Sequence, residues 1–519
     1  MSDPPGEPRE ARIFWGIWGG LLLLHGLPVV LSEHLPMQDY PNHLAIVATL
    51  ARKHADPSWG QHFVDHLGLQ PQSLFYALAL LLSGTLGAAR ACKALVLAYL
   101  ALTPLAFRAA LLALGVRNRW AALTIFPLLV SDSYLLGFLP WLLSLPLALA
   151  ALALAVHLAR GPAPSLSKLA ALAALGGLLW LAHPLALGLL LLTAAAMVPF
   201  QGERRQALAS LAALAPAALL LAWSAAEAPD LTTPGIELSA ATKGKYLLLA
   251  PILAAEASRS HGFPLAALAL LLVVGLAGIQ ATRTALGEFS GKPALVTPRG
   301  SVIPGLVVLF VTYLGLPFGQ GPAIWLDSRV AGWAWWVLLL ALGRWIAAER
   351  IGRVALGMLI GSSWWCVARG HLVFAQEAAP LLRVLERAPG GARLLPLIEA
   401  RESAAFQPFY ARSGEIPFFS LLAHAGSLYH ARHGGESPFL TFHATLDWVP
   451  LGLREARYAR LSIAGPFQPE RTLRQARELG LEFDLLLVRG DGPIARRLAE
   501  RGPPLASEGP WSLYRGSAP

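Results

Sequence analysis

Residues Phe138 to Leu158 read FLPWLLSLPLALAALALAVHL, a run without a single Asp, Glu, Lys or Arg. About 20 apolar residues in a helix cross the roughly 30 Å hydrocarbon core of a bilayer. Comparable runs recur on both sides, at about 13–31, 92–112, 118–136, 166–183, 185–200, 207–223, 263–279, 302–318, 330–347 and 354–369. With 138–158 they make eleven expected spans. The chain of 519 residues is 55% hydrophobic and 14% charged, with a mean hydropathy of +0.54. A soluble domain carries about 25% charged residues. The expected fold is therefore an α-helical polytopic membrane protein. A soluble enzyme, a disordered chain and a disulfide scaffold are excluded.

Charge placement gives the expected orientation. The formal charge is +10, nearly all of it from arginine. With eleven spans and the N-terminus inside, the inner connections carry Arg117/Arg119, Arg160/Lys168, Arg204/Arg205, Arg283/Lys292/Arg299 and Arg350/Arg353. That satisfies the positive-inside rule, which an even count would break. The N-terminal segment, with Arg9 and Arg12 ahead of the run 13–31, reads as an uncleaved signal anchor. The run Leu74 to Gly87 is too short to span and reads as interfacial. Cys92 and Cys366 sit in apolar runs and read as buried small hydrophobes rather than a disulfide.

This parity puts the first loop (32–91), Asp132, the loops 224–262 and 319–329, and the C-terminus on one outer face. The membrane domain is expected over 1–370, and a soluble α/β domain over 371–519. In the latter, 17 arginines stand against 15 acids. There a helix Glu377–Ala388 should lead into a strand 393–398. Helix 470–479, strand 483–489, helix 493–501 and strand 511–515 should follow. The stretch 401–450 shows no clean period. Arginine-rich, Ala- and Gly-rich composition suits a bacterial inner membrane.

No Walker loop, GxGxxG after a strand, CxxC, HExxH or GxSxG is present. Nucleic acid is not an expected partner. The first outer loop is more informative: His34-Leu35-Pro36-Met37-Gln38-Asp39-Tyr40-Pro41-Asn42-His43. Pro41 suits a first helical turn, which places Asp39 just ahead of a helix and His43 one turn in. An acid so close to the membrane can serve as a general base or cation ligand. The plainer alternative is a helix-capping Asp39 and a surface His43.

Asp132 lies between two apolar runs, where acids usually face a cavity or a partner; a loop aspartate at the water boundary is the alternative. Arg329 precedes a span on the outer side, where its planar fork suits a lipid phosphate; a pair with Asp327 or contact with ordinary head groups is the alternative. Lys243 and Lys245, with Arg259, make the loop 224–262 basic, as an anionic lipid donor or merely the membrane surface would require. His183 before Pro184 reads first as a packing histidine. His424, His430 and His433 have no cysteine or carboxylate beside them in sequence and read as a solvated face. The clusters Trp333/Trp335/Trp336 and Trp364/Trp365 read as interfacial belts.

Together these features resemble the GT-C superfamily of integral-membrane glycosyltransferases, of the protein mannosyltransferase and lipid A aminoarabinose transferase type. The likeness rests on Gln38-Asp39-Tyr40-Pro41-Asn42-His43 after the first span, the interfacial run 74–87, and the outer α/β tail. Gly137-Phe138-Leu139-Pro140-Trp141, Ala182-His183-Pro184-Leu185-Ala186, Phe483-Asp484-Leu485-Leu486-Leu487-Val488 and Trp511-Ser512-Leu513-Tyr514-Arg515 add to it. Many members carry two adjacent acids in the first loop; here Asp39 stands alone between Gln38 and Tyr40.

The resemblance implies sugar transfer, with inversion, from a polyprenyl-phosphate donor to an outer-face acceptor. Asp39, His43 and Asp132 are its catalytic candidates. Tyr40, Asn42, His183, Lys243, Lys245 and Arg329 are its substrate-binding candidates. Its partners are a lipid-linked sugar donor and membrane lipids, and it leaves a divalent cation open as a cofactor. Two other classes remain: a lipid or solute transporter or flippase, and a non-catalytic partner in envelope polysaccharide assembly.

Overall fold

The structure is a computed structural model. It describes residues 8–55, 63–226, 237–289, 302–320, 323–413, 419–438, 451–453, 461 and 468–516. The basic residues Lys292 and Arg299, the tip of the loop 319–329 and most of 439–467 lie outside the described residues.

The protein is a polytopic helical membrane protein with a small C-terminal α/β sheet domain. Six described helices are long and apolar enough to cross a membrane: Arg9–Leu31, Ala88–Ala113, Leu139–Arg160, Arg204–Ala226, Gly262–Thr284 and Arg350–Glu386. Leu166–Ala182, Pro184–Phe200 and Ile303–Gly315 are shorter apolar helices that match expected runs. The run 330–347 falls on the helix Leu326–Leu342.

One expected span has a different form. Over 118–136 the chain breaks into a 3-10 turn Arg119–Ile125, a short helix Phe126–Leu129 and another at Asp132–Leu136. Pro127 lacks the donor that a continuous helix would need, and Asn118 already caps the first turn by accepting from the Trp120 amide. The last span also differs. Instead of stopping at 369, the helix Arg350–Glu386 runs on through the stretch expected to form a separate helix.

The chain clusters into two compact units. The first comprises Met1–Val29, Leu97–Ser133 and Pro140–Val367; the second comprises Val30–Val96, Tyr134–Leu139 and Ala368–Pro519. The first outer loop thus folds in the same unit as the C-terminal residues.

Within the first unit, helices pack through small residues. A Cβ at Gly176 on the Leu166–Ala182 helix would lie 2.8 Å from the Ala217 Cβ on Arg204–Ala226. Glycine there lets the two helices approach closely, as membrane helix contacts favour.

The second unit carries a four-stranded sheet. Its order is Leu394–Ile398, Leu485–Arg489, Trp511–Arg515, Ala506–Glu508, the first pair parallel and the others antiparallel. Both parallel strands are buried throughout, which explains their unbroken apolar sequence. Helices Pro469–Glu478 and Pro493–Arg501 accompany them. In the same unit, helix Tyr40–Ala55 packs on helix Ala425–His433. Phe63–Asp65 also pairs antiparallel with Leu451–Leu453.

Candidate functional site

The second unit builds its site around the helix Tyr40–Ala55. Pro41 occupies the first turn, and Asp39 sits just ahead of it. The backbone reaching this point is fixed: the Gln38 and Asp39 amides donate to the Leu135 and Leu136 carbonyls at 2.8 and 2.9 Å. Gly137, at φ +76°, lies directly beneath. A Cβ there would stand 3.0 Å from both the Asp39 and the Tyr40 nitrogens. The glycine that opens the Gly137-Phe138-Leu139-Pro140-Trp141 motif is therefore a close-approach residue.

Asp39 is 9% exposed, and its Oδ1 lies 3.0 Å from the Nε2 of His424. Neighbouring contacts hold the segment that carries His424. The Ser420 amide donates to Gln38 Oε1 at 2.8 Å, and the Ser427 hydroxyl donates to Asn42 Oδ1. His430 Nε2 lies 2.6 Å from Thr49 Oγ1. Arg52 donates to the carbonyls of His430, Ala431 and Arg432 at the end of that helix, where a cation complements the helix dipole.

The expected solvated histidine face is thus corrected for two of its three members. His424 is held against Asp39, and His430 is 1% exposed. In this unit burial drives the His430 imidazole down to about 4. Burial, with Arg432 and Lys93 nearby, drives His34 down to about 3. Both are neutral at neutral pH.

The other first-loop candidates have structural partners. The Tyr40 hydroxyl donates to the Ala89 carbonyl at 3.3 Å. His43 Nδ1 lies 2.7 Å from the Tyr76 hydroxyl, its ring packed edge-on to Phe75. Asn42 is fully buried. These three brace the helix that presents Asp39.

The first unit has its own polar hollow, lined among others by Asp132, Tyr246, Arg329, Trp141, Ser328 and Trp333. Its inner volume is about 30 Å³, room for a water-sized group. The Tyr246 hydroxyl donates to Asp132 Oδ2. Burial, then the Asp132 carboxylate, pushes the Tyr246 phenol well above its usual value. The Arg329 guanidinium stands 5.6 Å from the Trp141 ring centroid, and His183 packs edge-on to the same indole at 5.3 Å. Trp141 thus gathers Arg329 and His183 on one aromatic platform, a cation–π arrangement for the arginine.

Trp333 and Trp336 are buried, which corrects the interfacial-belt expectation for them. The Trp333 indole donates to Thr193 Oγ1 at 2.9 Å. Lys243 Nζ donates to the Leu316 carbonyl at 2.6 Å, while Lys245 is exposed. Asp327 is buried and accepts from the Ser328 amide at 2.7 Å. Its burial, opposed by Lys243, raises its carboxyl to about 6.

Sequence reasoning missed His424 as the partner of Asp39, and Tyr246 as the partner of Asp132. The triple histidine was a visible signal, but its carboxylate partner lies at the other end of the chain. Nothing in sequence marks Tyr246. Cys92 and Cys366 are free and buried. Among the described residues no three His, Cys, Asp or Glu side chains converge as metal ligands.

No family model matches the chain, and no curated protein matches it. Among solved structures, the crystal structure of ArnT from Cupriavidus metallidurans in the apo state is similar. The likeness covers 97% of this chain and 97% of that one, at 12% identity and a TM-score of 0.43.

Proposed function

We propose that this protein is a membrane glycosyltransferase that moves a sugar from a polyprenyl-phosphate donor to an acceptor at the extracytoplasmic face. The observation that carries the reading is the carboxylate of Asp39 held by the His424 imidazole at a helix start. A general base must be fixed in place within reach of the proton it takes. The imidazole fixes it at the start of the helix.

In the proposed step Asp39 takes the proton from the acceptor hydroxyl or amine. The acceptor's lone pair forms the new bond to the anomeric carbon from the face opposite the phosphate. The bond from that carbon to the phosphate oxygen breaks, and its electrons leave with the polyprenyl phosphate, so the anomeric configuration inverts. His424 is a positioning residue: it orients the carboxylate and touches no substrate. Tyr40, Asn42 and His43 support the helix.

Within the first unit, Arg329 is proposed as a group that holds the phosphate of the lipid donor. Its guanidinium carbon lies over the Trp141 ring, and His183 shares that indole. Asp132, held by Tyr246 in the hollow of the first unit, is proposed to accept from a sugar hydroxyl. Lys243 and Lys245 add positive charge to the loop that carries Tyr246. No step is routed through a metal.

The extracytoplasmic placement of the first loop and the C-terminal domain is supported by the positive-inside distribution of arginine. The test is transfer from radiolabelled polyprenyl-phosphate sugars in membranes carrying Asp39→Asn. Transfer should fall at least 100-fold, on the scale of general-base loss, with protein level and detergent elution unchanged. Undiminished transfer sinks the assignment.

A further inference from the structure

The C-terminal sheet domain holds a hollow that the proposed reaction does not use. It lies among helices Pro469–Glu478 and Pro493–Arg501 and the apolar side chains of the sheet, and measures about 430 Å³. Leu473, Phe483, Leu486 and Ile494 form its apolar wall. Phe483, Leu486 and Ile494 also belong to the domain's hydrophobic core. The hollow opens to solvent, with side chains of that core at its floor.

The rim states the occupant's charge. Arg474, Arg477, Arg497 and Arg501 line the hollow, and Glu470 is its one acid among the described residues. Glu470 is already paired with Arg497. Arg474, Arg477 and Arg501 form no ion pair among the described residues. They are exposed, so their charge faces outward around an apolar interior.

We propose that this hollow binds an anionic lipid, its hydrocarbon chain against Leu473, Phe483 and Leu486 and its phosphate on Arg474, Arg477 and Arg501. Guanidinium forks grip phosphate oxygens in pairs, and the apolar wall selects for a chain. A free anion would leave the apolar wall wet, and a neutral lipid would make no use of the three arginines. The inference stands independently of the glycosyltransferase reading.

The test uses the full chain in a neutral maltoside detergent, with a diazirine-bearing dodecyl phosphate as photoreactive probe and peptide mapping of the label. Labelling within 469–501 should saturate. It should fall at least tenfold in the variant Arg474→Glu/Arg477→Glu/Arg501→Glu. Unlabelled decyl phosphate should compete about 15-fold more weakly than dodecyl phosphate, from roughly fourfold per methylene. Inorganic phosphate should not compete.

Label confined to the membrane helices, or unchanged by charge reversal, overturns the proposal. So does displacement by inorganic phosphate alone, which would mark a free-anion site. Should the triple variant fail to fold, the chain-length series and the phosphate competition on the wild-type chain decide the question.

Discussion

His424 Nε2 lies 3.0 Å from Asp39 Oδ1, with the two side chains 13% and 12% exposed. The pair joins the first outer loop to the C-terminal residues inside one compact unit. A charge-assisted hydrogen bond in such surroundings contributes about 1.5–3 kcal/mol. His424→Ala and Asp39→Asn should each lower the thermal unfolding midpoint in detergent. The double variant should fall by clearly less than their sum, because one interaction is lost in all three. Additive losses would show that the two side chains do not act together.

Gly137 predicts a backbone effect. Its φ of +76° and the 3.0 Å approach to the Asp39 and Tyr40 nitrogens leave no space for a methyl group. Gly137→Ala should destabilise the second unit by about 1–3 kcal/mol and displace Asp39, so transfer activity should fall with stability. Gly84, with nothing within 4 Å of an added Cβ, is the control: Gly84→Ala should be neutral or slightly stabilising. Equal stability of the two alanine variants would contradict this.

The buried histidines set an acid limit on the second unit. His34 and His430 are lowered to about 3 and about 4 by burial, while the unfolded chain titrates near 6.5. A group with a depressed folded value contributes stability above its unfolded value and loses it as pH falls. The unfolding midpoint should therefore drop steadily from pH 6.5 toward pH 4. His430→Gln should flatten that slope. An unchanged slope would remove His430 from the account.

Asp327 has the opposite sign. Burial raises its carboxyl to about 6, so its contribution is present below about pH 4 and lost as pH rises through 6. Asp327→Asn keeps the shape without the charge. It should raise the midpoint at pH 8 relative to wild type and make no difference at pH 4, as read by a thermal melt at both values. A loss at pH 8 would mean that the ionised carboxylate is needed.

The division between what was legible and what was not follows the range of the interactions. Helix ends such as Leu139 and Arg160 could be read because apolar length is a local property. So could the strands around Leu485 and Trp511, whose apolar runs are bounded by Gly, Pro and charge. Broken backbone at 118–136 is harder to read: the stretch is long and apolar enough to span, while Pro127 supplies no donor to a continuous helix.

Asp39 and Asp132 could be singled out because an acid beside an apolar run is rare. Their partners His424 and Tyr246 could not, since the pairing is made by tertiary folding. Trp333 and Trp336 carry the composition of an interfacial belt, yet packing buries them. Which indole faces a neighbouring helix is set by rotation about the helix axis.

The most direct test of the central claim is native mass spectrometry of the detergent-purified protein loaded with a polyprenyl phosphate. Wild type and Asp39→Asn should both retain the lipid, because Asp39 acts on the acceptor, while Arg329→Ala should lose most of it. A wild-type protein that holds no polyprenyl phosphate, or an Arg329→Ala variant that holds it undiminished, would contradict the account.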